Sequence, residues 1–330
     1  MTKKALRIIL VCGVLAVALT LLNCSVADPA GPGPASSAGP SNPAEAPPAS
    51  TPARSVPAIQ HVFIVVFENE AYDEIIGNTR EMPYFNELAG RYALAANYYA
   101  NTHPSIGNYF MMTAGQLITR DDSYSLTIRE DNIVRHLIAE GKSWKSYAED
   151  LPALGYTGED RRPYVRRHNP LSFFSDVMGD PAQKKNLVPL TQLAEDMRSG
   201  SLPNYGFVVP NNLHNLHSCT LGGTSCTEEE QMRLADAWLR DSLGPLLENK
   251  SFQESGLLLI VFDEAEHGDR SHGGGRIPFI LVGSKVRPGY RSKTFYQHES
   301  ALRLTCAALR LQSCPGAGAT APSMDEFFRE

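Results

Sequence analysis

Ser105 is the residue whose surroundings most suggest chemistry. It follows Asn101-Thr-His-Pro104 and precedes Ile106 and Gly107, and from Asn108 to Thr113 the chain reads as the start of an apolar helix. A hydroxyl at a helix N-terminus lies where backbone N–H groups and the positive end of the dipole favour an anion such as phosphate. An alkoxide attacking such an anion is less costly there. Asn108, three residues on, is placed to turn its amide back across the same turn onto a phosphoryl oxygen. The alternative makes Ser105 an N-cap and Asn108 a first-turn polar residue, since Ser is a common cap. Three further clusters argue for chemistry. Glu68 and Asn69 follow the apolar run His61–Phe67, His214 and His217 follow Tyr205–Val209, and Asp263 and Glu264 follow Leu257–Phe262, with His267, Asp269 and His272 close behind. Carboxylates and imidazoles gathered in one place hold a divalent cation or two, which would activate the Ser105 hydroxyl and neutralise charge on a phosphoryl group. Read singly, each cluster is also what an ordinary loop after a strand contains.

The elements that must bring these residues together are legible as hydrophobic patterns. The three runs are continuous, apolar and β-branched, as expected of central strands buried on both faces. Open α/β sheets place ligands beyond the carboxyl ends of such strands. Further strands are expected at Ala95–Tyr99, Ser143–Glu149 and Ile277–Val282. Helices are expected at Met82–Ala93, Asn132–Gly141, from Leu193, at Glu228–Leu247 and at Glu299–Leu311. Met232, Ala235, Trp238 and Leu239 share one side of the long helix. The alternation predicts an α/β fold with a mostly parallel central sheet and helices on both faces. Leu151–Pro189 is rich in Pro, Gly, Arg and Tyr and shows no periodicity, so it reads as a lid or insertion above the site. Its Arg161, Arg162, Arg166, Arg167 and His168 suit either an anionic substrate or a solvated charge run.

The remaining features bound the class of protein. A net charge of -6 over 330 residues leaves no basic footprint, which argues against a nucleic-acid partner. Lys3, Lys4 and Arg7 precede the apolar run Ile8–Leu22, the pattern of an export signal, and the run is short for a membrane span. Leu21-Leu22-Asn23-Cys24 is similar to a bacterial lipobox, with Asn23 where a small residue is preferred. Ordinary cleavage and a membrane tether through a lipidated Cys24 both stay open. Residues 1–24 are therefore read as a signal peptide or lipoprotein signal and 25–57, nearly all Pro, Ala, Gly and Ser, as a disordered linker; 58–330 form the catalytic domain. The expected location is periplasmic, extracellular or lipid-anchored to the cell envelope. Cys219 with Cys226 and Cys306 with Cys314 are close pairs, which favours two local disulfides. A four-thiolate metal site would lack any CxxC spacing.

The chain resembles the bacterial phosphoesterases that include acid phosphatases and phosphatidylcholine-type phospholipases C, a branch of the alkaline-phosphatase-like superfamily. The likeness runs from His61 to about Leu311. It is carried by Phe67-Glu68-Asn69 with Tyr72-Asp73, by His103-Pro104-Ser105-Ile106-Gly107-Asn108-Tyr109, by Pro210-Asn211 with His217, by Phe262-Asp263-Glu264, and by Tyr296-Gln297-His298-Glu299. The resemblance implies a divalent metal ion held by Glu68, Asn69, His217, Asp263 and Glu264. It also implies a Ser105 nucleophile forming a phosphoseryl intermediate, and a phosphate-binding amide at Asn108. The chain departs from the pattern at Asn215, where Asp is common, and at Arg276, where a His often precedes Ile277-Pro278. The last ligand or acid then falls to His272, His298 or His267, with His214 a further candidate. The implied activity is hydrolysis of small phosphate monoesters, with phospholipid headgroup cleavage as the alternative. A surface binding protein that has lost catalysis is the reading from a different class.

Overall fold

The computed structural model describes residues 55–220, 226–266 and 268–329. The export signal, Cys24, nearly all of the linker and His267 lie outside the described residues. One sheet of eight strands organises the domain. In chain order the strands are β1 (His61–Phe67), β2 (Ala93–Ala95), β3 (Trp144–Ala148), β4 (Leu187–Pro189), β5 (Tyr205–Val209), β6 (Gly256–Phe262), β7 (Phe279–Val282) and β8 (Arg291–Ser292). Across the sheet they lie in the order β4-β3-β5-β1-β6-β7-β2-β8. Only β7 runs against its neighbours; every other pairing is parallel.

β1, β5 and β6 are the most apolar runs, and they are neighbours at the middle of the sheet, where both faces are covered. β1 pairs with β6 over its whole length, Phe67 opposite Phe262. Glu68 and Asp263 therefore leave the sheet side by side, and the Asp263 N–H donates to the Phe67 carbonyl at 2.8 Å. On one face Phe67 meets Phe85 at 4.9 Å, Phe262 at 5.7 Å and Trp238 at 6.0 Å between ring centroids. Phe262 is its neighbour on β6, and Phe85 and Trp238 come from the helices Pro83–Arg91 and Glu228–Glu248. The long helix starts in a capping box of Thr227 and Glu230. Its Asp236 carboxylate accepts the Tyr84 and Phe85 N–H groups, so it also caps the shorter helix. Ile64 is paired with Phe207, and Tyr109 approaches Phe207 at 6.5 Å, which puts the helix Ile106–Ala114 on the opposite face. It packs there beside His298–Ala308. Helices thus cover both faces of a mostly parallel sheet, as the alternation predicts.

The second strand is Ala93–Ala95 rather than Ala95–Tyr99; Tyr98 and Tyr99 make single bridges to Tyr296 and Arg276. The aperiodic span holds two short 3₁₀ turns, Arg166–His168 and Pro170–Phe173, then two one-turn helices and β4. Both expected disulfides are present, Cys219–Cys226 and Cys306–Cys314, with Cα atoms 6.0 and 5.8 Å apart. No described helix is long and apolar enough to cross a membrane.

Candidate active site

Ser105 sits at the junction the sequence marks, but its hydroxyl does not cap the helix. The residue is already helical, at φ -44° and ψ -51°, and makes no side-chain cap hydrogen bond. Its Oγ donates instead to Glu68 Oε2 at 3.2 Å, and only 5% of the residue is exposed. Asp263, completely buried, also lies within reach of that hydroxyl. One proton thus faces two carboxylates. Asn69 adopts the left-handed conformation at φ 57°, which Asn tolerates better than most residues. The turn sends its N–H to Asp263 Oδ1 at 3.1 Å and its amide nitrogen to Glu68 Oε2 at 3.3 Å. Glu264 holds the far side, with Oε2 accepting from Asn108 Nδ2 at 3.2 Å and Oε1 facing His103 Nδ1 at 3.2 Å. His103 Nε2 lies 2.9 Å from the Asp269 carbonyl, so that nitrogen carries the proton and Nδ1 turns to the carboxyl.

Two of the three carboxylates in this sealed space, Asp263 and Glu264, bind a proton more readily than usual. Burial above all, then the charges of Glu68 and Glu264, holds the Asp263 carboxyl well above the usual carboxylate range; the Ser105 hydroxyl and Asn69 N–H offset only part of this. Burial, with Glu68 and Asp122, pushes Glu264 up to about 9. Asp263 Oδ2 and Asn69 Oδ1 are buried without a hydrogen-bond partner. Hard oxygens in excess negative charge, two of them unpartnered, fit a divalent cation. No three of the site's carboxylates and imidazoles converge tightly. Among the described residues the only such trio within 4.8 Å is Cys219, Cys226 and Glu230, and a disulfide takes up its two thiols.

The residues the sequence nominates are not all brought to this point. Asn108 is fully buried, and its amide is committed: Oδ1 accepts the Asn101 and Thr102 N–H groups at 3.0 and 3.1 Å, and Nδ2 donates to the Thr102 carbonyl and Glu264. It braces the turn before Ser105 rather than facing open space. The helix N-terminus is also engaged, since Ile106 N–H donates to Asp122 Oδ1 at 3.2 Å. His214 is turned away to Glu149, 3.0 Å from Nδ1, and stacks over Trp238. His217 is exposed on the lip of a cavity of about 470 Å³ that Asn69 and Glu70 also line, and its Nε2 accepts from Arg167 at 3.5 Å. His272 is exposed, in a left-handed turn at φ 51°, and packs on Tyr99 and Phe295, not on the carboxylates. His298 is buried behind the site. Its Nε2 donates to the Asp263 carbonyl at 2.7 Å and its Nδ1 meets Tyr98, while burial lowers it to about 4, so it supports Asp263 as a neutral ring. Arg276, where a family histidine often stands, lies over the Tyr72 ring at 3.8 Å and bonds the Ala96 carbonyl.

Two residues that the sequence reading did not nominate as catalytic or metal-holding complete the network. Tyr109 donates to Glu68 Oε1 at 2.6 Å. His168, from the aperiodic span, stacks on Tyr109 at 5.4 Å and brings Nε2 within 3.3 Å of the same oxygen. Asn215 Nδ2 at 3.3 Å from His168 Nδ1 sets the tautomer, leaving the proton on Nε2 toward Glu68. Burial, then the Arg167 and His217 charges, holds His168 well below its ordinary value. The sequence signals for them are the place of Tyr109 beside Asn108 in the Ser105 stretch and that of His168 in the span read as a lid above the site.

The comparisons with known proteins agree with this architecture. A "Probable acid phosphatase" of Kluyveromyces lactis is 32% identical over 74% of this chain and 57% of its own length. A "Phosphatidylinositol-3-phosphatase" of Mycobacterium tuberculosis is 31% identical over 73% of this chain and 74% of its own. The chain spans between about half and three quarters of the length of the curated relatives it matches. Among solved structures, a lipoteichoic acid synthase of Listeria monocytogenes superposes with a TM-score of 0.54 at 12% identity, over 82% of this chain and 76% of that one. An alkaline phosphatase superfamily protein of Vibrio parahaemolyticus does so at 0.50 and 13%, over 75% and 66%. At these identities the likeness speaks for the fold. The sequence signature of the Phosphoesterase family matches residues 78–311, and with relatives above 30% identity over more than two thirds of its length, the chain belongs to that family.

Proposed function

We propose that this protein is an exported phosphoric ester hydrolase that cleaves phosphate monoesters with Ser105 as nucleophile. The observation that carries the reading is the Ser105 hydroxyl, excluded from capping and held at 3.2 Å from Glu68 among buried carboxylates at the ends of β1 and β6. Glu68, Asn69, Asp263 and Glu264 would hold a divalent cation, which when bound supplies charge neutralisation for the phosphoryl oxygens and a more acidic serine. Ser105 Oγ gives its proton to Glu68, to which it already donates, and attacks phosphorus; the bond to the leaving oxygen breaks, and the leaving alcohol takes up a proton. His217, at the lip of the cavity that Asn69 also lines, would give it. Water then cleaves the phosphoserine and restores the hydroxyl. Two of the relatives support the monoester assignment by name, one an acid phosphatase and one acting on a phosphoinositide.

Ser105→Ala is expected to abolish turnover of p-nitrophenyl phosphate without moving the thermal midpoint by more than a few degrees; turnover near the wild-type rate would exclude the nucleophile. Chelation is expected to remove activity and lower the midpoint, and re-addition of a divalent cation to restore both, because a ligand bound only by the folded state stabilises it. Phospholipase C chemistry is the second reading. Side-by-side turnover of p-nitrophenyl phosphate, a phosphoinositide and phosphatidylcholine separates the two.

A further inference from the structure

Two adjacent arginines in the aperiodic span are used differently. Arg166 is buried over the Phe173 ring at 4.0 Å and donates to the Ser172 carbonyl at 3.2 Å, so it anchors its own segment. Arg167 turns the other way and is held loosely. Its Nε is 3.7 Å from Asp122 Oδ2, its Nη1 3.9 Å from Asp160 Oδ2 and its Nη2 3.5 Å from His217. Nε is buried yet has no hydrogen-bond partner. Both carboxylates have another duty: Asp122 Oδ1 takes the Ile106 N–H and Asp160 Oδ1 takes the Arg166 N–H.

These contacts close a ring around the nucleophile. Asp122 ties Arg167 to the residue after Ser105, His217 ties it to the cavity lip shared with Asn69, and Asn69 returns to Glu68 and Asp263. A guanidinium has five donors in a planar fork suited to two oxygens of one phosphate. Here two of those donors face the Asp122 and Asp160 carboxylates at distances too long to count as made hydrogen bonds, and a third reaches His217 only at the 3.5 Å limit.

We propose that Arg167 receives the non-bridging oxygens of the substrate's phosphoryl group, and that it selects dianionic phosphate monoesters over monoanionic diesters. The proposal rests on the phosphoesterase reading and sharpens its substrate class. A monoester presents two negative charges above pH of about 6, whereas a diester presents one and covers an oxygen with its second alcohol. Asp122 occupies the fork and the helix N-terminus until the substrate's charge takes its place.

The test compares Arg167→Met and Arg167→Lys with wild type at pH of about 7.5, on p-nitrophenyl phosphate and bis(p-nitrophenyl) phosphate. Arg167→Met is expected to cut kcat/KM for the monoester by about 10- to 100-fold, the size of a lost hydrogen-bonded charge pair, and to leave the diester nearly unchanged. Inorganic phosphate, measured by calorimetry, is expected to bind more weakly in the same proportion. Arg167→Lys keeps charge and bulk and is expected to show the same split in smaller measure, which decides the matter should the methionine variant fold poorly. Equal losses on both esters, or phosphate affinity unchanged in either variant, would overturn the assignment. Ser105→Ala run in parallel keeps the two readings apart: turnover surviving there sinks the nucleophile, while phosphate affinity still judges Arg167.

Discussion

Asn108 shows how a residue at a chemically suggestive spacing can serve the site from behind it. With both amide atoms satisfied, it joins the turn at Asn101 and Thr102 to Glu264. Asn108→Ala strands two buried N–H groups and one carboxylate oxygen. It is expected to lower unfolding free energy by about 2–3 kcal/mol in denaturant melts, alongside its loss of kcat. A purely phosphate-binding amide would cost rate and not stability, so the melt decides between the roles. The same spacing logic placed Ser105, Glu68 and Asp263 together, because strand ends and a helix start are local features. It could not orient histidines. His272 lies near Asp263 in sequence, but its left-handed turn sends it outward, and His168 sits in a span whose lack of periodicity hides a completely buried ring.

At the scale of elements, the site depends on β1 being held in register between β5 and β6. Gly206 of β5 lies opposite Phe63 of β1, and a Cβ there would fall 2.4 Å from the Phe63 ring. That ring fills the space between Tyr147 and Phe252, with centroids at 5.8 and 5.7 Å. Gly206→Ala is therefore expected to destabilise by about 1–3 kcal/mol through overpacking, and Phe63→Leu in the same chain to recover part of it. Additive losses in the double variant would show that the two positions do not share one space. β1, β5 and β6 could be read within a residue from their apolar runs. The two-residue β8 and the three-residue β2 and β4 could not, since strands so short carry no pattern. Nor could the reversed direction of β7, because an apolar run has no polarity.

For the molecule as a whole, the acid range it survives is set partly at a distance from the carboxylates at the ends of β1 and β6. Asp196, on the helix Gln192–Ser199 and only 2% exposed, is tied to β3 by Lys145 at 2.5 Å and Tyr147 at 2.6 Å, and to Gln192 at 3.0 Å. Burial pushes its carboxyl up, but hydrogen bonds from Lys145, Tyr147 and Gln192 outweigh that and leave it lowered. A carboxyl lowered by folding contributes stability that is whole above its unfolded value, about 3.9. That contribution fades as pH falls through the folded value, because the unfolded chain then binds the proton more readily. The fold therefore keeps this tie throughout the mildly acidic range. Asp196→Asn is expected to lose about 2 kcal/mol at pH of about 7, and the gap from wild type to close only well below pH of about 4. Urea melts at stepped pH check this: a gap that closes already near pH of about 5 would mean that Asp196 titrates at or above the ordinary carboxylate range, and that the Lys145 and Tyr147 contacts do not hold it ionised.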